Sequence, residues 1–282
     1  MQPLTLTRPP PRHVARKRFG QHFLHDPRVI ARIIDAIAPK PHETLVEIGP
    51  GLGALTIPLL NLGVRIIAID IDRDVLAHLT SLAVPPERLE LIEADALAYD
   101  FAGLSQRLGQ PLRVIGNLPY NISTPLLFHL LDQAHHLSDM HFMLQKEVID
   151  RMVAAPNRKT YGRLSVMVQA KAAAMSLFDV GPGAFKPPPK VTSSIVRLQP
   201  LGTPLVSAVA QGLFAKVVAS AFGQRRKTLR NALSLWLTDG DFCQLNLDPS
   251  CRAETLTPAQ FAHIAQYLYT RPGSAHAAPA AE

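Results

Sequence analysis

Short apolar runs alternate with segments of helical periodicity between residues 44 and 145. The runs are rich in Val, Ile and Leu and have the length of buried strands; they lie at 44–49, 64–70, 89–95, 111–117 and 139–145. Apolar residues at helical spacing fill the intervals, as in GALTIPLLNL and DRDVLAHLTSL. Strands that alternate with helices form a parallel sheet with helices on both faces and right-handed crossovers. The sequence therefore predicts an α/β fold.

The periodicity changes near residue 200, which indicates a second, smaller domain. A Pro-rich loop and one β-branched strand, FKPPPKVTSSIVRLQP (185–200), close the α/β region. Two helical stripes follow, with Val206, Val209, Leu213, Val217 and Ala221 in the first, and Leu229, Leu233, Trp236 and Leu237 in the second. We predict a disordered basic arm at 1–15, an α/β domain at 16–203, a helical domain at 204–270 and a disordered tail at 271–282.

Basic residues outnumber acidic ones and occur in clusters. The chain has 29 Lys and Arg against 22 Asp and Glu, a formal net charge of +7. This balance favours a polyanionic partner, with nucleic acid ahead of a membrane surface. The clusters predicted to contact RNA are Arg16, Lys17 and Arg18, and Arg225, Arg226, Lys227 and Arg230. The second group surrounds a predicted helix start, where free backbone amides would add to phosphate binding; a solvated charged face is the alternative.

The sequence contains no apolar run of about 18 residues and no secretory leader, so we expect a cytosolic protein without a membrane association. Cys243 and Cys251 are the only cysteines. Without a neighbouring group of His and Cys they predict reduced thiols and no metal site. Nothing in the sequence indicates an obligate dimer, and we expect a monomer.

A glycine-rich turn, EIGPGLGA (47–54), joins the first predicted strand of the alternating region to a helix. Gly49 and Gly51 would let the backbone approach a ligand closely. Asp70 ends the next strand, where a carboxylate can bind both hydroxyls of a ribose. The turn and Asp70 fit a dinucleotide as well as S-adenosylmethionine. A purely structural turn is the third possibility.

Two further acids favour S-adenosylmethionine. Glu47 lies in the strand before the turn, and Asp95 ends the third strand, where it could accept a hydrogen bond from an adenine amino group. An acid-rimmed site would attract the sulfonium cation of S-adenosylmethionine and repel the pyrophosphate of a dinucleotide. Each acid alone could be a helix cap or a surface residue.

The segment NLPY (117–120) follows the fourth predicted strand, where open α/β sheets bind their second substrate. Asn117 offers a side-chain carbonyl, and Leu118 offers a backbone carbonyl because Pro119 keeps the chain extended. Two acceptors match the two N–H groups of an exocyclic amine, and Tyr120 offers a face for stacking. The segment therefore predicts a site for N6 of adenine, against the alternative of an Asx turn.

Seven segments together resemble the ribosomal RNA adenine dimethyltransferases of the bacterial small-subunit type: RKRFGQHFLHD, EIGPGLGALT, GNLPYNISTPLLFHLL, MLQKEV, YGRLSVM, AFKPPPKV and FGQRRKTLRNAL. The similarity runs from about residue 16 to residue 270. It implies a Rossmann-like methyltransferase domain followed by a helical RNA-contacting domain. It also implies N6,N6-dimethylation of two adjacent adenosines in the 3′-terminal hairpin loop of 16S rRNA during 30S subunit maturation.

The resemblance also implies roles for single residues. His22, Leu24, Gly49, Asp70, Asp95 and Asn117 fall on the family's cofactor-contacting positions, residues 117–120 on its catalytic loop, and Phe185 on the aromatic that covers the other face of the target base. His22 stands where Asn is usual, and Asp70 where Glu is usual. We expect both roles to survive these changes.

Four other functions fit parts of the sequence. A 23S rRNA adenine dimethyltransferase would share the chemistry, but the basic FGQRRKTLRNAL and the full FKPPPKV favour the small-subunit type. A DNA adenine methyltransferase usually carries a distinct target-recognition domain. An NAD-dependent oxidoreductase needs a hydride site, for which no candidate base follows the fourth strand. A non-catalytic ribosome assembly factor would need only the basic surface.

Overall fold

The computed structural model describes residues 22–224 and 226–271. The chain divides into two compact units. The described part of the first unit covers residues 22–149 and 175–200, and that of the second covers 150–174, 201–224 and 226–271. The predicted arm at 1–15 and nearly all of the predicted tail at 271–282 lie outside the described residues.

A seven-stranded sheet in the order β4-β3-β2-β5-β6-β9-β7 forms the centre of the fold. The strands are β1 (Phe23–Leu24), β2 (Thr44–Ile48), β3 (Arg65–Asp70), β4 (Leu89–Glu93), β5 (Leu112–Asn117), β6 (Leu137–Gln145), β7 (Ala172–Val180), β8 (Phe185–Lys186) and β9 (Ser193–Pro200). Strands β2 to β6 pair in parallel and β9 pairs antiparallel with β6. The short strands β1 and β8 form a separate antiparallel pair.

Helices follow the strands as the alternating pattern predicts. They are α1 (Pro27–Ile37), α2 (Thr56–Asn61), α3 (Arg73–Thr80), α4 (Phe101–Leu108), α5 (Ser123–Asp132), α6 (Lys146–Met152), α7 (Arg163–Gln169), α8 (Gln211–Phe222), α9 (Leu229–Ala232), α10 (Asp239–Gln244) and α11 (Pro258–Thr270). Within the described ranges, none of these helices has the length and apolar character needed to cross a membrane.

The five strands of the alternating region are confirmed, with bounds within two residues of the predicted ones. Strand β7 was missed because its sequence, AAAMSLFDV, starts with three alanines and has one β-branched residue. The sheet therefore contains both parallel and antiparallel pairs. Strand β9 pairs antiparallel with β6, because a loop and not a crossover helix precedes it.

The second unit begins earlier in the sequence than the predicted helical domain. Residues 150–174, which the sequence assigned to the α/β domain, belong to it. The reason is hydrophobic packing, because Tyr161 and Val166 lie in one core cluster with Phe214 and Phe261. The hydroxyl of Tyr161 also donates to the carbonyl of Leu256 at 2.7 Å.

The two stripes predicted in this unit are only partly helical. Helix α8 starts at Gln211, and Val209 is 65% exposed, so its assignment to a buried stripe is wrong. Helix α9 has four residues, and turns continue the second stripe. Its three leucines, Leu229, Leu233 and Leu237, are nevertheless buried.

Gly116 marks a close approach between β5 and β2. A Cβ atom added at this glycine would lie 2.5 Å from the carbonyl oxygen of Ile48 on β2. A separation this short forces the two strands apart. The strands that Gly116 keeps close carry Gly49 and Asn117 immediately after Ile48 and Gly116, respectively.

We expect Gly116→Ala to lower the free energy of unfolding by about 1–3 kcal/mol, the usual cost of overpacking. Gly181→Ala is the matched control, because a Cβ atom there meets nothing within 4 Å and its φ of −71° suits alanine. Denaturant or thermal unfolding of both variants measures the difference. Equal stabilities would contradict a steric role for Gly116.

Candidate active site

A cavity of about 250 Å³ lies in the first unit at the carboxyl ends of β2, β3, β4 and β5. It brings together eleven of the residues predicted from sequence: His22, Leu24, Glu47, Gly49, Gly51, Asp70, Asp95, Asn117, Leu118, Pro119 and Tyr120. For nine of them the shared position follows from the parallel sheet, in which these strands end at the same edge. His22 and Leu24 come instead from the segment of β1, which belongs to the separate two-stranded sheet. Among the described residues that line the cavity, none is Lys or Arg.

The glycine-rich turn forms one wall of the cavity. Gly49 and Gly51 have φ angles of +68° and +53°, which L-residues with a side chain rarely adopt. A Cβ atom at Gly51 would also lie 3.2 Å from the Phe23 ring. The turn is longer than predicted, because α2 begins only at Thr56 and the intervening residues are in turn conformation.

Glu47 is the buried acid of the cavity, with 2% of its surface exposed. Its carboxylate accepts a hydrogen bond of 2.7 Å from the hydroxyl of Thr56. Burial raises the pKa of Glu47 to about 7, the Thr56 hydrogen bond opposes this rise, and the charge of Asp70 adds to it. The carboxyl group is therefore close to its titration midpoint at neutral pH.

Asp70 and Asp95 are oriented by the backbone that follows each of them. The amide of Asp72 donates to Oδ1 of Asp70 at 2.8 Å, and the amide of Leu97 donates to Oδ1 of Asp95 at 2.9 Å. Asp70 is half-buried and Asp95 is exposed. Both line the same cavity as Glu47. The sequence predicted this grouping, because the three acids lie in or after three successive strands.

The NLPY loop (Asn117 to Tyr120) forms the opposite wall. The side-chain amide of Asn117 donates to the carbonyl of His22 at 3.0 Å, so Nδ2 is engaged and Oδ1 is directed away from this bond. The amide of Leu118 donates to the carbonyl of Met143 at 3.3 Å, and the Leu118 side chain is buried. A turn from Pro119 to Ile122 then leads into α5.

His22 and Tyr120 stand next to each other at this wall, with ring centroids 5.8 Å apart. Nδ1 of His22 lies 2.8 Å from the carbonyl oxygen of Pro187, which can only accept, so Nδ1 carries the proton of this bond. The phenol of Tyr120 hydrogen-bonds with the hydroxyl of Ser193 at 2.7 Å. Burial raises the pKa of Tyr120, which keeps the phenol neutral.

Phe185 lies outside the cavity wall, unlike the other residues predicted for the cofactor and catalytic sites. Strand β8 pairs with β1 so that Phe185 stands opposite Leu24, and its side chain is 3% exposed within the hydrophobic core. The proposed cover over a target base stays a prediction that requires this ring to change position.

The basic residues predicted to contact RNA are described only in part. Arg16, Lys17, Arg18 and Arg225 lie outside the described residues. Arg226 and Lys227 are exposed in the second unit, and Arg230 is exposed with an ion pair of 3.1 Å to Asp239. Two of the amides that were predicted to be free at this helix start are already hydrogen-bonded. The amides of residues 229 and 230 donate to the backbone carbonyls of residues 251 and 249.

Three residues of the site were not predicted from the sequence. Thr56 and Ser193 act through single hydroxyl contacts with Glu47 and Tyr120, and no spacing rule predicts such pairs. Ile71 lines the cavity and is more than half exposed. Its place directly after the acid at the end of β3 could have indicated it.

Comparisons with known proteins agree on one family. A model of the family described as ribosomal RNA adenine dimethylase matches residues 12–270. Two relatives bear the name ribosomal RNA small subunit methyltransferase A. The one from Aromatoleum aromaticum is 57% identical over 256 residues, covering 91% of this chain and 95% of its own. The one from Thiobacillus denitrificans is 55% identical over 259 residues, covering 92% of this chain and 100% of its own.

Solved structures show the same fold. A dimethyladenosine transferase from Plasmodium falciparum has a TM-score of 0.74 at 26% identity, with 86% of this chain and 96% of that chain covered. The 23S rRNA methyltransferase ErmE has a TM-score of 0.66 at 23% identity, with 87% and 99% covered, and supports the fold alone. The Rossmann-like methyltransferase fold predicted from the sequence is thus confirmed.

The raised pKa of Glu47 predicts a specific pH dependence of stability. A carboxyl group with a pKa of about 7 in the folded chain and 4.5 as its ordinary value stabilises the fold below pH 4.5 and loses this contribution as the pH rises through 7. The loss amounts to roughly 3 kcal/mol across this window. Glu47→Gln removes the titrating group.

Melting temperatures of the two proteins between pH 5 and pH 8 test this expectation. Wild type should lose stability relative to Glu47→Gln as the pH rises. Glu87→Gln, the same substitution at an exposed glutamate, should run parallel to wild type. Parallel curves for wild type and Glu47→Gln would show that burial does not raise this pKa.

Proposed function

The chain belongs to the ribosomal RNA adenine dimethylase family, and we propose that it methylates N6 of two adjacent adenosines in the 3′-terminal hairpin loop of 16S rRNA. The methyl donor is S-adenosylmethionine, and the reaction belongs to maturation of the 30S subunit. The observation that carries the proposal is the position of the NLPY loop in the wall of the same cavity as the glycine turn and three carboxylates.

The cavity fits this donor better than a dinucleotide. Glu47, Asp70 and Asp95 line it, and its described residues include no Lys or Arg that would balance a pyrophosphate. The left-handed glycines leave room for a ligand to approach the backbone. We assign Asp70 to the ribose, Asp95 to the adenine amino group, and Glu47 with the glycine turn to the charged methionine end. Leu24 and His22 belong to the same cofactor wall.

The bound donor supplies an electrophilic methyl carbon on a sulfonium. The chain's part is to present the amine of adenine, which is a poor nucleophile because its lone pair is delocalised into the ring. Hydrogen bonds from the amine to Oδ1 of Asn117 and the carbonyl of Leu118 favour the localised lone pair of the transition state. Stacking on Tyr120 holds the base in place, and holding both reactants together contributes much of the rate.

No strong base is needed at this site, because the nitrogen becomes positively charged as it takes the methyl group and then loses a proton readily. The target base must leave its stack, which costs a few kcal/mol. Aromatic stacking returns about 1–3 kcal/mol per contact. Tyr120 supplies one face, and Phe185 remains our candidate for the other.

The small ribosomal subunit is the partner class that the similarities support. The relatives at 51–57% identity bear the small-subunit name, so a 23S rRNA substrate is not favoured. We propose that exposed basic side chains of the second unit, Arg226, Lys227 and Arg230, contact phosphates and position the RNA without reading its sequence. We also propose that the protein acts as a monomer in the cytosol, where ribosomal subunits are assembled.

Asn117→Ala tests the catalytic assignment. We expect methyl transfer to fall by at least about 100-fold, because an acceptor that acts in the transition state is lost. Affinity for S-adenosylmethionine should change by less than about 3-fold, because the other walls of the cavity stay intact. Transfer of tritium from labelled donor to unmethylated 30S particles measures the first quantity, and equilibrium dialysis the second. Unchanged turnover would refute the role of Asn117.

The same assay tests the substrate. Wild type should label 30S particles and leave 50S particles and DNA unlabelled. Tight 30S binding without any transfer would favour a docking factor over an enzyme.

Arg226→Ala combined with Lys227→Ala tests the RNA contact. We expect weaker binding to 30S particles and a plot of log affinity against log salt that is flatter by about 1–2 units, because each phosphate contact releases counterions. The control pair Lys40→Ala and Arg107→Ala also removes two positive charges. These residues precede the amino ends of β2 and β5. Equal effects of the two pairs would assign the change to net charge alone.

A further inference from the structure

The hydroxyl of Ser193 contacts the NLPY loop from a distant part of the sequence. Ser193 is the first residue of β9, is completely buried and pairs with Gln145 of β6. Its Oγ lies 2.7 Å from the phenol oxygen of Tyr120, a partner 73 residues earlier in the chain. We propose that Ser193 is a positioning residue that fixes the Tyr120 ring as the platform for the target adenine, a role that rests on the proposed function.

Tyr120 is hydrogen-bonded at its backbone and at its phenol. At the backbone end, the hydroxyl of Ser123 donates to the carbonyl of Tyr120 at 3.0 Å. At the other end, the phenol reaches Ser193. A tyrosine side chain turns about two bonds, and the phenol oxygen lies on the axis of the second. The bond to Ser193 therefore fixes the direction of the side chain and the position of the ring, and the preference of a phenol hydrogen bond for the ring plane favours one tilt. This restraint presents the platform before a base arrives.

The contact with Ser193 explains why residue 120 is a tyrosine and not a phenylalanine. Stacking needs only an aromatic face, which phenylalanine offers equally well. A half-buried phenol, however, requires a hydrogen-bond partner. The bond to Ser193 satisfies this requirement and also connects the phenol to β9, an interior strand of the sheet.

The segment before Ser193 fixes the other end of the NLPY loop. The carbonyl of Pro187 accepts from Nδ1 of His22, and the carbonyl of His22 accepts from the side chain of Asn117. Residues 187 to 193 thus hold the acceptor residue through His22 and the stacking residue directly. The loop contributes its reactive groups, and this segment sets their directions.

The neighbouring Ser194 provides a matched control. It is also completely buried, and its hydroxyl donates to the backbone carbonyl of Phe178 at 2.9 Å. Successive residues of a strand point to opposite faces of the sheet, so the two serines are equally buried but have different partners. Loss of a buried hydroxyl in β9 can therefore be separated from loss of the contact with Tyr120.

The experiment is a double-mutant cycle of Ser193→Ala and Tyr120→Phe. Each single change should lower kcat/KM for 30S particles by about 3- to 10-fold, the value of one hydrogen bond. The double variant should be no worse than either single variant, because both changes remove the same bond. Rates are expressed per site that binds S-adenosylmethionine, which removes any effect of a reduced folded fraction.

Three further results are expected. The dissociation constant for S-adenosylmethionine should stay unchanged in Ser193→Ala. Ser193→Thr should restore the rate, because it keeps the hydroxyl. Ser194→Ala should have wild-type kinetics. Unchanged kcat/KM in Ser193→Ala, or effects of the two single changes that multiply in the double variant, would overturn the positioning role. Absence of methyl transfer in wild type would instead overturn the proposed function, and this role with it.

Discussion

The parallel pairing of β2 with β5 is the constraint on which the site depends. These strands carry the glycine turn and the NLPY loop at their carboxyl ends, so their pairing brings the two segments together. Gly116 permits the close approach, since any side chain there would meet the carbonyl of Ile48. A donor and an acceptor of a methyl group must meet in line at a short distance. The pairing of these strands therefore decides how the two segments of the proposed site are arranged.

Charge is divided between the two units in a way that fits two different ligands. The cavity of the first unit is lined by acids and by no described Lys or Arg, although the chain as a whole has a net charge of +7. Exposed basic residues such as Arg226 and Lys227 belong to the second unit. A basic cavity would bind phosphate in place of a cationic donor, and an acidic outer surface would repel RNA. Separation of the charges removes both conflicts.

The sequence predicted those parts of the fold and site that depend on local signals. Strand runs, the glycine turn and the acids at strand ends are read within a few residues, and eleven of the predicted residues line the cavity. The prediction was wrong or silent where distant packing decides. The core around Tyr161 draws residues 150–174 into the second unit. The pairing of β8 with β1, which buries Phe185 beside Leu24, had no signal in the sequence, and the role of Phe185 stays a prediction. The contact of Ser193 with Tyr120 joins residues that no period or spacing connects.

The burial of Glu47 shows how a cavity lined by acids limits the cost of its own charge. An ionised carboxylate without a partner is costly to bury, and the rise of its pKa to about 7 lets the group become neutral instead. A positive ligand favours the ionised form of a carboxyl group, so the charge of the cavity depends on the charge of the ligand that it holds.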